Sequence, residues 1–248
     1  MITRKSAAEI ATMRRAGRVV AEVLALVEEE LRPGVSTAHL DALAEAHIRK
    51  SGAIPSFKGY YGFPASLCIS IDREVVHGIP GDRVIREGQV VSVDAGAIVE
   101  GWHGDAARTF VVGDVAQPVR DLVEATRMAL EAGVAAARPG NRIWDVSAAV
   151  EDVALPRGYG VVRPYVGHGI GTAMHEEPQV PNYRTKTRGI ELTPGICLAI
   201  EPMFTLGSAD VETLGDGWTV VTSDGSIAAH WEDSIAVTEN GPEVLTRP

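Results

Sequence analysis

GQVVSVD at residues 88–94 and GICLAIE at residues 195–201 are two versions of one pattern. In each, a glycine precedes an apolar run typical of a β-strand, and an acid follows six residues after the glycine. The sequence RPG, which ends a predicted helix, also occurs twice, at residues 32–34 and 138–140. The two pairs recur at offsets of 107 and 106 residues. Coincidence is the alternative, because both patterns are common, but the shared offset favours an internal duplication with a site between two similar halves.

Helices and strands are predicted along the whole chain. Apolar residues at helical spacing predict helices over residues 6–31, 37–50, 117–137 and 142–155. The first begins with a capping box, Ser6 and Glu9. Runs rich in Val and Ile predict strands over residues 67–71, 89–95, 108–112, 161–166, 196–201, 219–222, 226–229 and 234–238. With no linker in the sequence, these elements predict a single α+β domain over residues 1–248, with repeats at about 10–115 and 116–240.

Composition excludes several classes of protein. The 248 residues carry a net charge of −10, which argues against general nucleic-acid binding. No apolar run is long enough to span a membrane, and no signal peptide is visible at the first residues. Two widely separated cysteines, Cys68 and Cys197, do not make a disulfide framework. The expected location is therefore the cytoplasm.

Four acids and one histidine are the candidate metal ligands. Asp94 and Glu201 end the two related apolar strands, and Glu232 precedes another. Asp105 lies in a glycine-bearing segment eleven residues after Asp94, and His168 lies between two glycines. Four carboxylates near one another repel, and two divalent cations would balance their charge. Carboxylates with one imidazole suit Mn, Fe, Co or Zn. Each acid taken alone has an ordinary alternative as a turn or cap residue.

Two further histidines are candidates for a chemical role, whereas several known catalytic motifs are missing. His77 and His175, like His168, lie in segments where glycine or proline lets the backbone approach a ligand closely. The zinc-protease helix motif fails after His175, because Gln179 stands at the second histidine position and Pro178 would break the helix. A P-loop, a dinucleotide fingerprint and a serine-hydrolase elbow are also missing from the sequence. Two acids are interpreted as solvated surface residues, Glu176 and Glu177.

Several motifs in order resemble those of type I methionine aminopeptidases. They are YVGHGIGTAMHEEPQVPNY at 165–183, CISI at 68–71, HGIP at 77–80, WHGD at 102–105 and IEP at 200–202. The similarity covers residues 4–246 and is closest to the short bacterial form. It implies the "pita-bread" α+β fold with two pseudo-symmetric halves, in which helices cover an antiparallel sheet. It also implies metal-dependent removal of the N-terminal methionine from nascent proteins and peptides.

The resemblance assigns a role to each candidate. Asp94 would bind one metal, His168 and Glu201 the other, and Asp105 and Glu232 would bridge the two. A hydroxide between the metals would be the nucleophile. Glu201 would exchange its proton, and two catalytic histidines, His77 and His175, would contact the scissile amide nitrogen and stabilise the oxyanion respectively.

The resemblance also implies a pocket for the methionine side chain. The substrate-binding residues would be Tyr60, Phe63, Cys68, His77, His175 and Trp218, with Phe57 and Met174 nearby. On residue type alone, the aromatic members could equally be ordinary core residues. Phe57 and Met174 depart from the family pattern, in which a smaller residue and an aromatic one are common at these positions. The shape of the pocket is therefore left open.

The resemblance also leads to expectations about partners, and two rival functions remain as alternatives. The chain is expected to be a monomer that acts on the N-terminal Met of nascent polypeptides near the ribosome exit region, without binding a specific nucleic acid or a membrane. One rival is a proline-specific aminopeptidase or dipeptidase of the same fold. The other is a binding homologue that has lost catalysis, although all five implied metal ligands are present.

Overall fold

The computed structural model describes residues 2–247, and in it two helices precede the strands in each half of the chain. The first half contains α1 (Ala7–Glu30), α2 (Thr37–Lys50), β1 (Ile54–Pro55), β2 (Leu67–Ile71), β3 (Glu74–Val76), β4 (Val90–Val99) and β5 (Trp102–Val111). The second half begins with α3 (Gln117–Ala136), α4 (Ile143–Ala154), β6 (Gly160–Val161), β7 (Gly167–Gly169) and β8 (Glu176–Val180). It continues with β9 (Cys197–Ile200), β10 (Met203–Thr205), β11 (Val211–Thr213), β12 (Val220–Thr222), β13 (Ala228–His230), β14 (Asp233–Thr238) and β15 (Gly241–Val244).

The four predicted helices are confirmed to within a residue or so at each end. Helix α1 begins as its capping box predicts, because the Ser6 hydroxyl accepts from Glu9 N and the Glu9 carboxylate accepts from Ser6 N at 2.7 Å. Its apolar face is buried against β4 and β5. Close contact of α1 with β5 requires glycine, since a Cβ on Gly104 would lie 2.6 Å from Gly17 N.

Strands β4 and β5 form one long antiparallel hairpin, which the sequence prediction made too short. The hairpin turn is Glu100–Gly101, and both residues have positive φ, as a two-residue turn requires. Asp94 therefore lies in the middle of β4 and not at a strand end, and Asp105 lies within β5 and not before it. Backbone pairing extends the strands through residues 96–99 and 102–107, whose glycines, alanines and acid have low strand propensity.

The second half is organised around a five-stranded antiparallel sheet in the order β15-β14-β9-β7-β8. The first-half sheet has the order β1-β4-β2, with β5 also paired to β4. Two smaller sheets, β13-β10-β6 and β11-β12-β3, lie beside them. The strand predicted over residues 161–166 is wrong beyond Val161. Strands absent from the sequence prediction are short and held by their neighbours: β1, β3, β7, β8, β10, β11 and β15.

Each half has its own apolar core. One cluster of buried side chains draws all its members from residues 16–112, and a second draws its members from residues 122–237. Within the described part of the chain, no helix is both long enough and apolar enough to cross a bilayer. The two halves meet where β5 is hydrogen-bonded to residues 232–234. The candidate site lies at this contact.

Candidate active site

The five predicted metal ligands converge from both main sheets. Asp94 and Asp105 lie on the β4–β5 hairpin, and His168 lies in β7. Glu201 directly follows β9, and Glu232 directly precedes β14. Ligand atoms of Asp105, His168 and Glu232 all lie within 4.8 Å of one another. The Nε2 atom of His168 is 3.5 Å from Glu201 Oε1. All five side chains line the same cavity.

The electrostatics of this cluster fit divalent cations. One buried carboxylate oxygen on each of Asp94, Asp105 and Glu232 has no hydrogen-bond partner among residues 2–247. Burial first, and the charge of Asp105 second, raise the pKa of Asp94, Glu201 and Glu232 well above the ordinary range. Unpaired buried carboxylates are expensive for a fold, and cations would offset that penalty. The donor set therefore fits divalent metal ions.

His168 is prepared to be a neutral ligand. Its Nδ1–H donates to Gly169 O at 2.9 Å, which leaves the Nε2 lone pair facing the acids. Burial, and next the neighbouring His175, lower the pKa of His168 to about 3. The neutral imidazole is the form that binds metal ions.

A network behind the cluster fixes the distance between the two halves. The Ser234 hydroxyl accepts from Asp105 N at 3.0 Å and donates to Asp105 O at 2.8 Å. Glu232 N donates to Ala107 O at 2.9 Å. Asp233, which is fully buried and does not line the cavity, pairs with Arg108 and Arg247. These contacts position the carboxylates of Asp105 and Glu232 without touching them.

His175 and His77 lie beside the acidic cluster. The His175 Nδ1 atom is 2.9 Å from the Tyr60 hydroxyl, and its ring packs edge-on against His168 at 4.4 Å between centroids. His77 has a φ of +62°, which is strained for a residue other than glycine and places its ring against Trp218. Burial lowers the pKa of both histidines, that of His77 to about 4, so both are neutral at pH 7.

The opposite end of the cavity is apolar. The whole cavity, acidic end included, has a volume of about 230 Å³, and all of the predicted substrate-binding residues line it: Tyr60, Phe63, Cys68, His77, His175 and Trp218. Phe57 and Met174 are buried in the same apolar cluster. The Phe63 ring packs edge-on against Trp218 at 5.1 Å between centroids. A polar, acidic end and an aromatic end thus meet in one cavity.

Two residues of the site were not singled out from the sequence. Tyr61, 85% exposed, lies at the cavity mouth with its ring edge-on to Tyr60. His230 is fully buried, with its Nε2 atom 3.9 Å from Glu201 Oε2 and without a hydrogen-bond partner in the described region. The sequence signal for His230 was only its position two residues before Glu232.

Glu176 departs from the sequence interpretation, while Glu177 does not. The Glu176 side chain is 13% exposed and accepts from Lys5 Nζ at 2.7 Å, so it is not a solvated surface acid. Local sequence could not indicate this, because its partner lies 171 residues earlier in the chain. Glu177 is exposed, as expected.

Comparisons with known proteins agree with this geometry. A family model described as metallopeptidase family M24 matches residues 11–239. The sequence is 52% identical over 247 residues to a methionine aminopeptidase of Clostridium acetobutylicum, and the alignment covers 99% of each chain. The crystal structure of methionine aminopeptidase from Thermotoga maritima superposes with a TM-score of 0.98 at 43% identity over the whole of both chains. A prolidase from Pyrococcus furiosus superposes with a TM-score of 0.80 at 25% identity, and the match covers 65% of that longer chain.

The chain therefore belongs to metallopeptidase family M24. Within that family, its full-length relatives at about half sequence identity are methionine aminopeptidases, as the sequence motifs predicted. The predicted α+β pita-bread fold is likewise confirmed by the structural neighbours.

Proposed function

We propose that this protein is a methionyl aminopeptidase that removes the N-terminal methionine from peptides and nascent proteins. One observation carries the proposal: a cluster of two buried acids, two half-buried acids and one buried histidine shares a single cavity with an aromatic pocket. The acidic end suits hydrolysis assisted by cations, and the apolar end suits one unbranched apolar side chain. The full-length similarity to methionine aminopeptidases supports the same substrate.

The five predicted ligands would hold two divalent ions from the group Co, Mn, Fe and Zn. These ligands are Asp94, Asp105, His168, Glu201 and Glu232. The count of two follows from charge, since four carboxylates balance two doubly charged cations. When bound, the ions would supply Lewis-acid polarisation and an activated water at neutral pH. Their number and identity stay predictions for this chain.

The remaining steps are proton transfers and charge stabilisation by side chains. Glu201 lies between His168 and His230 at the inner wall of the cavity and would take a proton from the attacking water and pass it to the leaving amine. Because the Tyr60 hydroxyl lies 2.9 Å from His175 Nδ1, donation from Tyr60 leaves His175 Nε2–H free to stabilise the developing oxyanion. His77 would contact the scissile amide nitrogen as a neutral imidazole.

The apolar pocket would bind the methionine side chain. A thioether packs favourably against aromatic edges, which Phe63 and Trp218 present to the cavity. Met174 and Phe57 fill the wall of this pocket and would set its depth. Cys68 is buried at its base with its thiol protonated, since burial raises the pKa of that group.

The test compares two peptides on one enzyme preparation supplied with metal. Met-Ala-Ser should be hydrolysed much faster than an Ala-Pro peptide, and Asp105→Ala should lose turnover with both. A preference for Ala-Pro would instead assign the chain to the proline-specific branch of the fold. Full activity in Asp105→Ala would show that the proposed metal set is wrong.

Further expectations stay predictions. We expect a monomer in the cytoplasm, with substrates that emerge near the ribosome exit region. The two cysteines are free and buried, which agrees with a reducing compartment. The catalytic domain is expected to be the whole chain of 248 residues, with the two repeats as its halves.

A further inference from the structure

Lys5 is a buried lysine outside the site described above. Its side chain is only 3% exposed, and its ammonium group donates to Glu176 Oε2 at 2.7 Å and to Thr3 Oγ1 at 2.7 Å. Lysine is seldom buried so deeply unless it is paired. The backbone of Lys5 is held separately, because its N–H donates to Gly195 O at 2.7 Å. The side chain can therefore be changed without releasing the segment.

Glu176 connects this lysine to the turn that carries His175. Its second oxygen, Oε1, accepts from Ala173 N at 3.3 Å, so one carboxylate spans the turn and the lysine. The pair packs tightly against Gly171, where a Cβ would lie 2.7 Å from Lys5 Cε. The carbonyl of Gly171 in turn accepts from His103 N in β5 at 2.9 Å.

The turn needs such an anchor because most of it is not buried. Of residues 172–175, only Met174 is buried, and β8 begins only at Glu176. His175 nevertheless has to keep its 2.9 Å contact with Tyr60 and its packing against His168. A displacement of about 1 Å in a catalytic group can lower a rate by about 100-fold.

We propose that Lys5 and Glu176 are positioning residues for His175, and that their buried ion pair holds the 171–175 turn in its catalytic conformation. The inference rests on the proposed role of His175 in the reaction. Lys5 would thereby contribute to catalysis, although it does not line the cavity that holds the acidic cluster and the pocket.

The experiment separates positioning from stability. Lys5→Met keeps the aliphatic stem but removes the charge, and kcat on Met-Ala-Ser should fall about ten-fold with KM and metal affinity unchanged. Its melting temperature should also fall, because Glu176 loses its cation. In Lys5→Met/Glu176→Gln the buried charge is gone, so the melting temperature should recover while kcat stays low. Arg14→Met serves as the control, because Arg14 lies on α1, pairs with Glu243 at the surface, and does not line the cavity that holds His175.

A double-mutant cycle with His175→Ala tests the route of the effect. If Lys5 acts through His175, then Lys5→Met should lower kcat no further in a His175→Ala background. An unchanged kcat in Lys5→Met, a recovery of kcat together with stability in the double variant, or a loss of metal affinity would each overturn the proposal. Wild-type kcat in His175→Ala would instead refute the proposed role of His175, so the two failures are distinguishable.

Discussion

Replacing Asp105 with asparagine should stabilise the metal-free protein at neutral pH. Asp105 is 4% exposed, and burial raises its pKa from 3.8 to about 7. The unfolded chain releases this proton near pH 4, whereas the folded chain holds it to about pH 7. The contribution of Asp105 to the free energy of unfolding is therefore unchanged below pH 3.8. It declines as the pH rises from 3.8 to about 7, and it is lowest above about pH 7. Each tenfold change in proton affinity corresponds to about 1.4 kcal/mol, so at pH 7.5 ionised Asp105 costs on the order of 2–4 kcal/mol.

Urea unfolding in EDTA, followed by circular dichroism at about pH 5 and pH 7.5, measures this effect. Asp105→Asn should raise the free energy of unfolding by about 2–4 kcal/mol at pH 7.5 and by less than half of that at pH 5. Added Mn²⁺ or Co²⁺ should stabilise the wild type strongly and the variant weakly, since only bound ligand shifts the folding equilibrium.

Asp233→Asn provides a matched control of opposite sign. Asp233 is also buried next to the cluster, but it is paired with Arg108 and Arg247. Breaking a buried ion pair costs about 3–5 kcal/mol, so this variant should lose stability in EDTA. The reasoning is refuted if Asp105→Asn is no more stable than the wild type at pH 7.5, or if its gain is the same at both pH values.

Three further variants probe the proposed roles of the cavity residues. Tyr60→Phe removes the hydrogen bond to His175, worth about 1 kcal/mol, so steady-state kinetics should show kcat about five-fold lower at an unchanged KM; an altered KM with normal kcat would contradict this. Met174→Ala enlarges the apolar pocket, and selectivity for Met over Leu in competing peptides should fall about ten-fold; unchanged selectivity would place Met174 outside the pocket's function. His77→Asn should lower kcat/KM by the same factor at every pH from about 6 to 9, because burial lowers the pKa of His77 to about 4; a factor that changes with pH would show that His77 titrates in this range.

Local physics made the helices predictable. The capping box of Ser6 and Glu9 and the apolar periodicity that follows define α1 without reference to the rest of the chain. The sequence of β7, Gly-His-Gly, has no such local signal. It forms a strand because it pairs with β8 on one side and β9 on the other. The same holds for the extension of β4 and β5, where pairing overrides the low strand propensity of Gly96, Ala97 and Gly104.

The acids of the site were identifiable from chemistry, whereas the contacts around them were not. In the sequence, an apolar run precedes both Asp94 and Glu201 at one repeat offset, and this pattern alone indicates paired ligands, although β4 continues beyond Asp94. The burial of Lys5 against Glu176 joins residues 171 positions apart, and no local pattern indicates such a pair. The roles of His77, His175 and the pocket residues follow only from the resemblance. They stay predictions that enzyme kinetics can test.

The dependence of methionine release on added metal tests the central claim most directly. Hydrolysis of Met-Ala-Ser should disappear after exhaustive chelation, and it should return as a divalent ion is titrated back, while calorimetry should count about two ions bound at saturation. Undiminished hydrolysis in the chelated protein would contradict the claim that the buried acids of this cavity act by holding cations.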